Sequence, residues 1–210
     1  MENKKTSVLI ADDHPLILEG LVKQFEACKS FHIIGIANNG EKAWQLFNEH
    51  TPQIAILDIE MAGMDGIELT AKIKAANTST KVVLLTMHTS PWIIAQAKKA
   101  NPDSILLKSM PLKDIVNSIN LVLEYGCFFP LEIEKLIKRN SHEFSSIQSI
   151  SNREMEVLKL ISEGYTTHQI AEKLFLSENT IETYRKNLLI KFETPNVACL
   201  IKKAVELGVI

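Results

Sequence analysis

Four short apolar segments of the chain each end in residues that could take part in phosphate or metal chemistry. The segments, with the polar residues that follow them, are 8–11 with Asp12 and Asp13, 54–57 with Asp58, 82–85 with Thr86, and 105–107 with Lys108. A carboxylate can attack phosphorus, and carboxylate oxygens are the ligands that hard divalent cations prefer. A hydroxyl or an ammonium group can donate to phosphoryl oxygens. The sequence therefore predicts that three carboxylates, a hydroxyl and an ammonium converge on one edge of a sheet.

The elements that must position these residues alternate between strand and helix. Apolar runs bounded by turn residues predict buried strands at about 7–12, 31–37, 53–58, 81–86 and 104–108, with helices at about 15–28, 41–50, 66–76, 91–100 and 111–124. This alternation predicts a parallel sheet covered on both faces. In the flavodoxin-like strand order 2-1-3-4-5, the acids lie at the switch point between strands 1 and 3, where such sheets bind ligands. Glycine is scarce and no Gly-rich phosphate loop is present, which disfavours the nucleotide-binding α/β folds.

Each of these residues also has a purely structural explanation when it is considered alone. Asp12 and Asp13 precede Pro15 and could cap the helix that begins there. Thr86 and Lys108 alone would be ordinary residues at strand ends. The chemical interpretation is favoured because the structural one requires independent coincidences at four strand ends.

Composition excludes several classes of protein. The chain has 210 residues, of which 46% are hydrophobic and 23% are charged, values typical of a soluble globular protein. No apolar stretch approaches the ~20 residues of a membrane-spanning helix, so no membrane partner is expected. The N-terminal residues lack a signal-peptide core, and the three cysteines are widely spaced and odd in number. Both features predict a cytoplasmic protein without disulfides.

The character of the sequence changes after residue 124. Residues 125–130 break the last helix of the first half, 131–139 could form a short helix, and 140–146 have the composition of a polar linker. From residue 150 the chain predicts four helices, the first of which begins at Ser151 with Glu154 at capping-box spacing and ends at Gly164. The other three are predicted at 167–174, 178–192 and 196–207. The predicted organisation is a domain at 6–124, a linker at 125–146 and an all-α domain at 147–210.

The order acid pair, acid, threonine and lysine at these strand ends resembles the receiver domain of a two-component response regulator. The resemblance implies that Asp58 is phosphorylated by a sensor histidine kinase or a small phosphodonor. It further implies that Mg²⁺ is held by Asp13, Asp58 and the backbone carbonyl of Glu60, with Asp12 supporting the metal. Thr86 and Lys108 would bind the phosphoryl group. The family's usual aromatic switch residue falls at Ile105, so coupling through an aromatic rotamer is not expected.

The C-terminal segment resembles the LuxR-type helix-turn-helix domain of regulators of the NarL/FixJ class. The matching residues are 153–158, Gly164, Ile170, Ala171, Leu174, Leu176, Ser177, Thr180, Ile181, Lys191 and 204–208. The resemblance implies that residues 178–192 are the recognition helix in the DNA major groove. The residues expected to face base edges are Glu182, Thr183 and Lys186, and those expected to approach phosphates are Thr180, Arg185, Lys191 and His168. The residues assigned to pairing with a second subunit are Val197, Leu200, Ile201 and Ala204. With Val205 they form an apolar stripe, part of which is expected to be buried in its own domain.

The combined prediction is a response regulator and not an enzyme. Phosphorylation of Asp58 would switch dimerisation and sequence-specific binding to double-stranded DNA, and so control transcription. One alternative is a phosphorylation-gated protein-interaction module, because residues 147–210 carry equal numbers of basic and acidic residues whereas DNA-binding domains are usually basic. Another is an orphan regulator that dimerises and binds DNA without phosphate. Salt-dependent binding to random duplex tests the first alternative, and dimerisation with and without acetyl phosphate tests the second.

Overall fold

The computed structural model describes residues 5–77, 79–143 and 150–210, with the side chains of residues 139–143 excepted. The chain divides into two compact units. The N-terminal unit comprises Met1–Thr89 and Ile94–Ile137, and the C-terminal unit comprises Ser90–Ile93 and Lys138–Ile210. Within the described ranges, no helix is long and apolar enough to cross a membrane.

The first half of the chain forms a parallel five-stranded sheet with the order β2-β1-β3-β4-β5, as the sequence predicts. The strands are β1 (Thr6–Ala11), β2 (Phe31–Ala37), β3 (Ile54–Asp58), β4 (Lys81–Thr86) and β5 (Ser104–Leu107). The helices are α1 (Pro15–Ala27), α2 (Gly40–His50), α3 (Gly66–Ala76), α4 (Pro91–Lys99) and α5 (Leu112–Tyr125). Observed and predicted bounds differ by no more than one residue, so the apolar runs located the sheet well.

The central strands are buried on both faces, which explains why their sequences are continuously apolar. Alternate residues such as Val8 and Ile10 pack with Leu21 and Phe25 of α1 and with Ile119 of α5. The residues between them, including Leu9 and Leu57, are equally buried. Polar residues are therefore confined to the ends of the strands, and this places the candidate site at one edge of the sheet.

Residues 150–210 form four helices, as predicted. They are α7 (Asn152–Ser162), α8 (Thr167–Leu174), α9 (Glu178–Lys191) and α10 (Val197–Glu206), and they enclose a core that includes Leu158, Ile170, Ile181, Leu188 and Leu200. Each helix begins at a side chain that accepts a backbone N–H, and these N-caps are Ser151, Thr166, Ser177 and Asn196. The predicted capping box of Ser151 and Glu154 is confirmed.

The segment before the C-terminal helices differs from the predicted linker. A helix, α6, spans Leu131–Glu143, so residues 140–143 are helical rather than part of a loop. Polar residue types such as Asn140 and Ser141 have only weakly unfavourable helix propensity, and an established helix can continue through them. Residues 144–149, which include the remainder of the predicted linker, lie outside the described ranges.

Candidate functional sites

The carboxyl edge of the sheet brings together the residues that the sequence analysis selected. Asp12 follows β1, Asp58 ends β3, Thr86 ends β4, and Lys108 follows β5. The ammonium group of Lys108 lies 2.8 Å from Asp12 Oδ2 and 2.8 Å from Asp58 Oδ2. Because all three side chains are buried, this one cation faces two carboxylates that have little solvent to screen them.

The pKa of Asp58 is raised above its ordinary value. Burial is the largest cause, and the charge of Asp12 raises the pKa further. The ammonium of Lys108 and the backbone N–H of Glu60 lower it, but they do not offset the burial. Asp58 is thus held in an environment that disfavours its charged form, a condition that is common at functional sites.

Thr86 and His88 form a further part of the pocket that Asp12, Asp58 and Lys108 line at the carboxyl edge of the sheet. The hydroxyl oxygen of Thr86 accepts the backbone N–H of His88 at 2.9 Å, so its O–H can donate to an incoming oxygen. The imidazole Nε2 of His88 lies 2.9 Å from Glu60 Oε2. No local pattern in the sequence indicates this side-chain pair, whose members lie two residues after Thr86 and Asp58 respectively.

Two glycines allow the loop after Asp58 to fold tightly. Gly66 donates its N–H to the carbonyl of Ile59 at 2.9 Å, and a Cβ at this position would overlap the carbonyl oxygen of Asp58. Gly63 adopts a φ of 76°, a conformation that favours glycine. Glu41 secures the same loop by accepting the N–H of Met64 at 2.9 Å. These contacts fix the segment that carries Glu60.

The acid pocket fits a divalent cation. One possible ligand atom from each of Asp12, Asp13, His14 and Asp58 lies within 4.8 Å of all the others. Among the described residues, Asp12 Oδ2, Asp13 Oδ1 and Asp58 Oδ2 are buried oxygens without a hydrogen-bond partner, although Lys108 or His14 lies at ion-pair distance from each. Several carboxylate oxygens around one point are what a hard divalent cation binds. His14 was missed, although it directly follows the acid pair in the sequence.

The three residues predicted to face base edges lie exposed on α9. Glu182, Thr183 and Lys186 have side chains directed to solvent in the C-terminal unit. The carboxylate of Glu182 accepts the hydroxyl of Thr167, at the start of α8, at 2.7 Å. This hydrogen bond orients the side chain of Glu182. Thr167 therefore helps to position a predicted base-contacting residue, a role that the sequence did not indicate.

The residues predicted to approach phosphates have more varied surroundings. Lys191 Nζ lies 2.6 Å from Oε2 of Glu154, a carboxylate that is nearly buried. The ammonium of Lys191 therefore forms an ion pair within the domain. Thr180 Oγ1 lies 2.8 Å from the capping Ser177 Oγ, and Arg185 Nε lies 3.8 Å from Glu182 Oε1. Their contacts with phosphate, including that of Lys191, remain predictions.

His168 carries a raised pKa on the exposed surface of the C-terminal unit. Its Nδ1 lies 2.9 Å from Glu178 Oε1, and this hydrogen bond is the largest cause of the raised pKa. The charge of Glu172 adds to it, with Nε2 lying 3.6 Å from Glu172 Oε1. The predicted contact of His168 with phosphate therefore involves a histidine that two carboxylates help to protonate.

The predicted dimer contact requires a correction on α10. Leu200 and Ala204 are fully buried in the core of their own unit, so they cannot face a second subunit. Val197 and Ile201 also pack partly against this core. A helical stripe of apolar residues does not reveal which neighbour it packs against, and here the domain core takes most of it. The residues that α10 exposes are Ala198, Cys199, Lys202, Val205 and Glu206.

Comparison with known proteins identifies the family of each half of the chain. Residues 8–120 match the family of response regulator receiver domains, and residues 148–204 match the bacterial regulatory proteins of the luxR family. A transcriptional regulator of Pseudomonas aeruginosa is 34% identical over 198 residues, covering 93% of this chain and 95% of that protein. A nitrate/nitrite response regulator protein homolog of Haemophilus influenzae is 28% identical over 187 residues, covering 89% and 90% respectively.

A solved structure extends the similarity to a complex with DNA. RcsB from Salmonella enterica serovar Typhimurium, bound to a promoter in the presence of the phosphomimetic BeF3−, has a TM-score of 0.65 and 27% identity. The match covers 95% of this chain and 98% of that one. The chain therefore belongs to the response regulator family. More particularly, it is a DNA-binding transcriptional regulator of the NarL/FixJ class, and not an enzyme.

Proposed function

We propose that Asp58 is the phosphoacceptor of this regulator and that a sensor histidine kinase phosphorylates it. The observation that carries the proposal is the arrangement of two buried carboxylates, Asp12 and Asp58, around the single ammonium of Lys108. A fold gains little stability from an excess of buried negative charge. A second buried carboxylate beside one lysine is expected where a carboxylate takes part in a reaction or binds a ligand.

In the proposed step, a carboxylate oxygen of Asp58 attacks the phosphorus of a phosphohistidine or of acetyl phosphate. The bond from phosphorus to the leaving nitrogen or oxygen breaks, and the leaving group takes its electron pair. Lys108 contributes a positive charge and Thr86 a hydroxyl donor to the transferred phosphoryl oxygens. Mg²⁺ held by Asp13, Asp58 and the carbonyl of Glu60, with Asp12 in support, would neutralise part of the negative charge.

Phosphorylation changes the balance of charge at the edge of the sheet. It converts the carboxylate into an acyl phosphate, whose phosphoryl group carries about −1.5 to −2 charges and new acceptor oxygens. We infer that Thr86 and Lys108 move toward these oxygens and bias β4 and β5 between two states. Ile105, the residue at the family's aromatic position, is fully buried in β5. Coupling in this protein would therefore depend on the position of the strands.

The output of this switch is proposed to be binding of a homodimer to promoter DNA in the cytoplasm. The recognition helix α9 would enter the major groove, and the exposed side of α10 would form the two-fold contact. Two-fold pairing predicts a pseudo-palindromic site with half-sites about 10–10.5 bp apart or a multiple of that spacing. Support comes from the LuxR-type family match and from the exposure of Glu182, Thr183 and Lys186.

Selection from random duplexes, with and without acetyl phosphate and Mg²⁺, tests this function. Wild-type protein with the phosphodonor should recover a pseudo-palindromic motif, whereas Asp58→Asn should show no gain from the phosphodonor. Lys186→Ala should lose about 1–3 kcal/mol at one base pair and relax the preference there.

Two results would favour the alternatives. Failure of phosphorylated protein to recover any motif would indicate a protein-interaction module. If wild-type protein recovered the same motif with the same affinity with and without the phosphodonor, and Asp58→Asn did so too, the protein would be an orphan regulator.

A further inference from the structure

We propose that the imidazole of His14 is a direct ligand of the divalent cation in the acid pocket. The pocket would then be a mixed carboxylate and imidazole site, which binds Mn²⁺ and related first-row divalent ions in preference to Mg²⁺. The inference rests on the proposed function, because it assumes that Asp12, Asp13 and Asp58 hold a cation.

The distances around His14 Nδ1 suit neighbouring ligands of one ion. This nitrogen lies 2.8 Å from Asp13 Oδ1, 3.3 Å from Asp12 Oδ1 and 3.8 Å from Asp58 Oδ2. An octahedral ion with bonds of about 2.0–2.1 Å separates adjacent ligands by about 3 Å and opposite ligands by about 4 Å. The imidazole nitrogen therefore completes a set of donor atoms around one point.

A simple hydrogen bond between His14 and Asp13 does not explain this arrangement. Although the two atoms are 2.8 Å apart, Asp13 Oδ1 has no hydrogen-bond partner among the described residues. An N–H aimed at this oxygen would have satisfied it. In the neutral tautomer that carries its proton on Nε2, Nδ1 is an acceptor, and an imidazole nitrogen and a carboxylate oxygen at this distance can both bind one cation.

The imidazole has no evident structural role at the start of α1. His14 occupies the N-cap position, but its side chain makes no capping hydrogen bond in the described structure. Its backbone N–H donates to Asp12 Oδ1 at 2.9 Å, which fixes the backbone independently of the ring. The side chain is 58% exposed, so it adds little to the core. Its position over three carboxylates remains to be explained, and metal ligation explains it.

A nitrogen ligand changes which cation the pocket prefers. Mg²⁺ favours an environment made of oxygen atoms and retains several waters. Imidazole suits first-row transition metals, whose affinity for a mixed site rises from Mn²⁺ through Ni²⁺. Addition of His14 to the carboxylates should therefore favour Mn²⁺ over Mg²⁺.

Calorimetric titration of full-length protein with Mn²⁺ and with Mg²⁺ tests this preference. His14→Ala should weaken Mn²⁺ binding by about 10-fold or more, the loss seen when metal-site residues are removed, and should change Mg²⁺ binding much less. His14→Asn places a carbonyl oxygen near the position of Nδ1, so it should retain Mg²⁺ binding without the preference for Mn²⁺. His32→Ala is the matched control, because His32 lies exposed near the start of β2, at the end of the strands opposite the acid pocket, and should leave both affinities unchanged.

Pulsed electron paramagnetic resonance of the Mn²⁺-loaded protein tests ligation directly. Nitrogen coupling of a bound imidazole should be present in wild type and in His32→Ala, and absent in His14→Ala. The inference would be overturned if the nitrogen coupling persisted in His14→Ala. It would also be overturned if the ratio of Mn²⁺ affinity to Mg²⁺ affinity were the same in all variants. Failure of wild type to bind either ion would overturn the cation site and this inference together. If Asp58 failed to accept phosphate while the coupling was present, only the phosphoacceptor role would be lost.

Discussion

Asp58 in the N-terminal unit and Glu154 in the C-terminal unit are both buried carboxylates that face a lysine. Their exposed fractions are 2% and 3%, and their distances to the ammonium are 2.8 Å to Lys108 and 2.6 Å to Lys191. The pKa of Asp58 is nevertheless raised, whereas that of Glu154 is lowered. Two carboxylates with little surface exposure, each close to a lysine, thus have pKa values shifted in opposite directions.

Two differences explain the opposite shifts: Asp58 is more deeply surrounded by protein than Glu154, and Asp58 shares its lysine with a second carboxylate. Burial is the largest cause in both cases and raises both pKa values. Lys108 divides its charge between Asp58 and Asp12. Glu154 has the ammonium of Lys191 and also accepts the N–H of Ser151 at 2.8 Å and its hydroxyl at 2.9 Å. We infer that the charged form of Asp58 is retained at a cost in stability, whereas the charged form of Glu154 stabilises the fold.

The largest expected effect on stability is at Lys108. Lys108→Met removes the cation between Asp12 and Asp58 and leaves both acids buried without compensation. The free energy of unfolding of the N-terminal unit should fall by about 3–5 kcal/mol, the cost of breaking a buried ion pair. Urea titration followed by hydrogen exchange of β3 and β4 measures the change. An unchanged midpoint would show that solvent already screens the pocket.

Glu154→Gln and Lys191→Met should each destabilise the C-terminal unit by a smaller amount. Lys191→Met leaves the Glu154 carboxylate its bonds from Ser151 and so should cost about 1–3 kcal/mol. Hydrogen exchange of peptides from α7 and α9 under urea provides the measurement. If Lys191→Met weakened DNA binding without any loss of stability, the charge of Lys191 would be acting mainly on phosphate.

The pH dependence of stability should have opposite signs at the two carboxylates. Because the folded pKa of Glu154 is below its ordinary value of 4.5, its contribution is present above that value and is lost as pH falls through the folded pKa. The folded pKa of Asp58 is above 3.8, so its cost is absent below that value and develops as pH rises through the folded pKa.

Unfolding titrations from neutral to acidic pH, in the presence of a chelator, test these signs. Asp58→Asn should stabilise the N-terminal unit at neutral pH by about 1 kcal/mol or more, as does replacement of some other buried charges, and this gain should vanish in acid. Glu154→Gln should destabilise the C-terminal unit at neutral pH and converge with wild type in acid. A shift of the same sign in both variants would contradict the comparison.

The smallest effect is expected at His168. Its carboxylate partners, Glu172 and Glu178, are largely exposed, so solvent screens their interaction with the imidazole. His168→Ala should leave Tm unchanged between about pH 5 and 8, the range in which histidine changes charge. A clear fall in the Tm of His168→Ala relative to wild type at acidic pH, where the imidazole is protonated, would contradict this. It would mean that the interaction of His168 with Glu172 and Glu178 stabilises the fold.

The sequence predicted the sheet and most of the acid pocket because both depend on short-range patterns. Apolar runs located the strands, and parallel connection then required Asp12, Asp58, Thr86 and Lys108 to meet at one edge. The role of Ser151 and Glu154 at the start of α7 was also predictable, because a capping box is a local motif.

Features that depend on tertiary packing were not predictable in this way. The ion pair between Glu154 and Lys191 joins residues 37 positions apart. The apolar stripe of α10 predicted that part of it would be buried in its own unit, but not that Leu200 would be among the buried residues. His14 directly follows two acids, but the direction of its ring depends on rotamer and packing, and the sequence specifies neither.

Intact-mass analysis after incubation with acetyl phosphate and Mg²⁺ tests most directly whether Asp58 is retained for phosphorylation. Wild-type protein should gain the mass of one phosphoryl group, and Asp58→Asn should gain none. Glu154→Gln is the matched control, because it replaces the other buried carboxylate with an amide and should be phosphorylated as wild type is. An adduct of the same mass on Asp58→Asn, or no adduct on folded wild-type protein, would contradict the assignment.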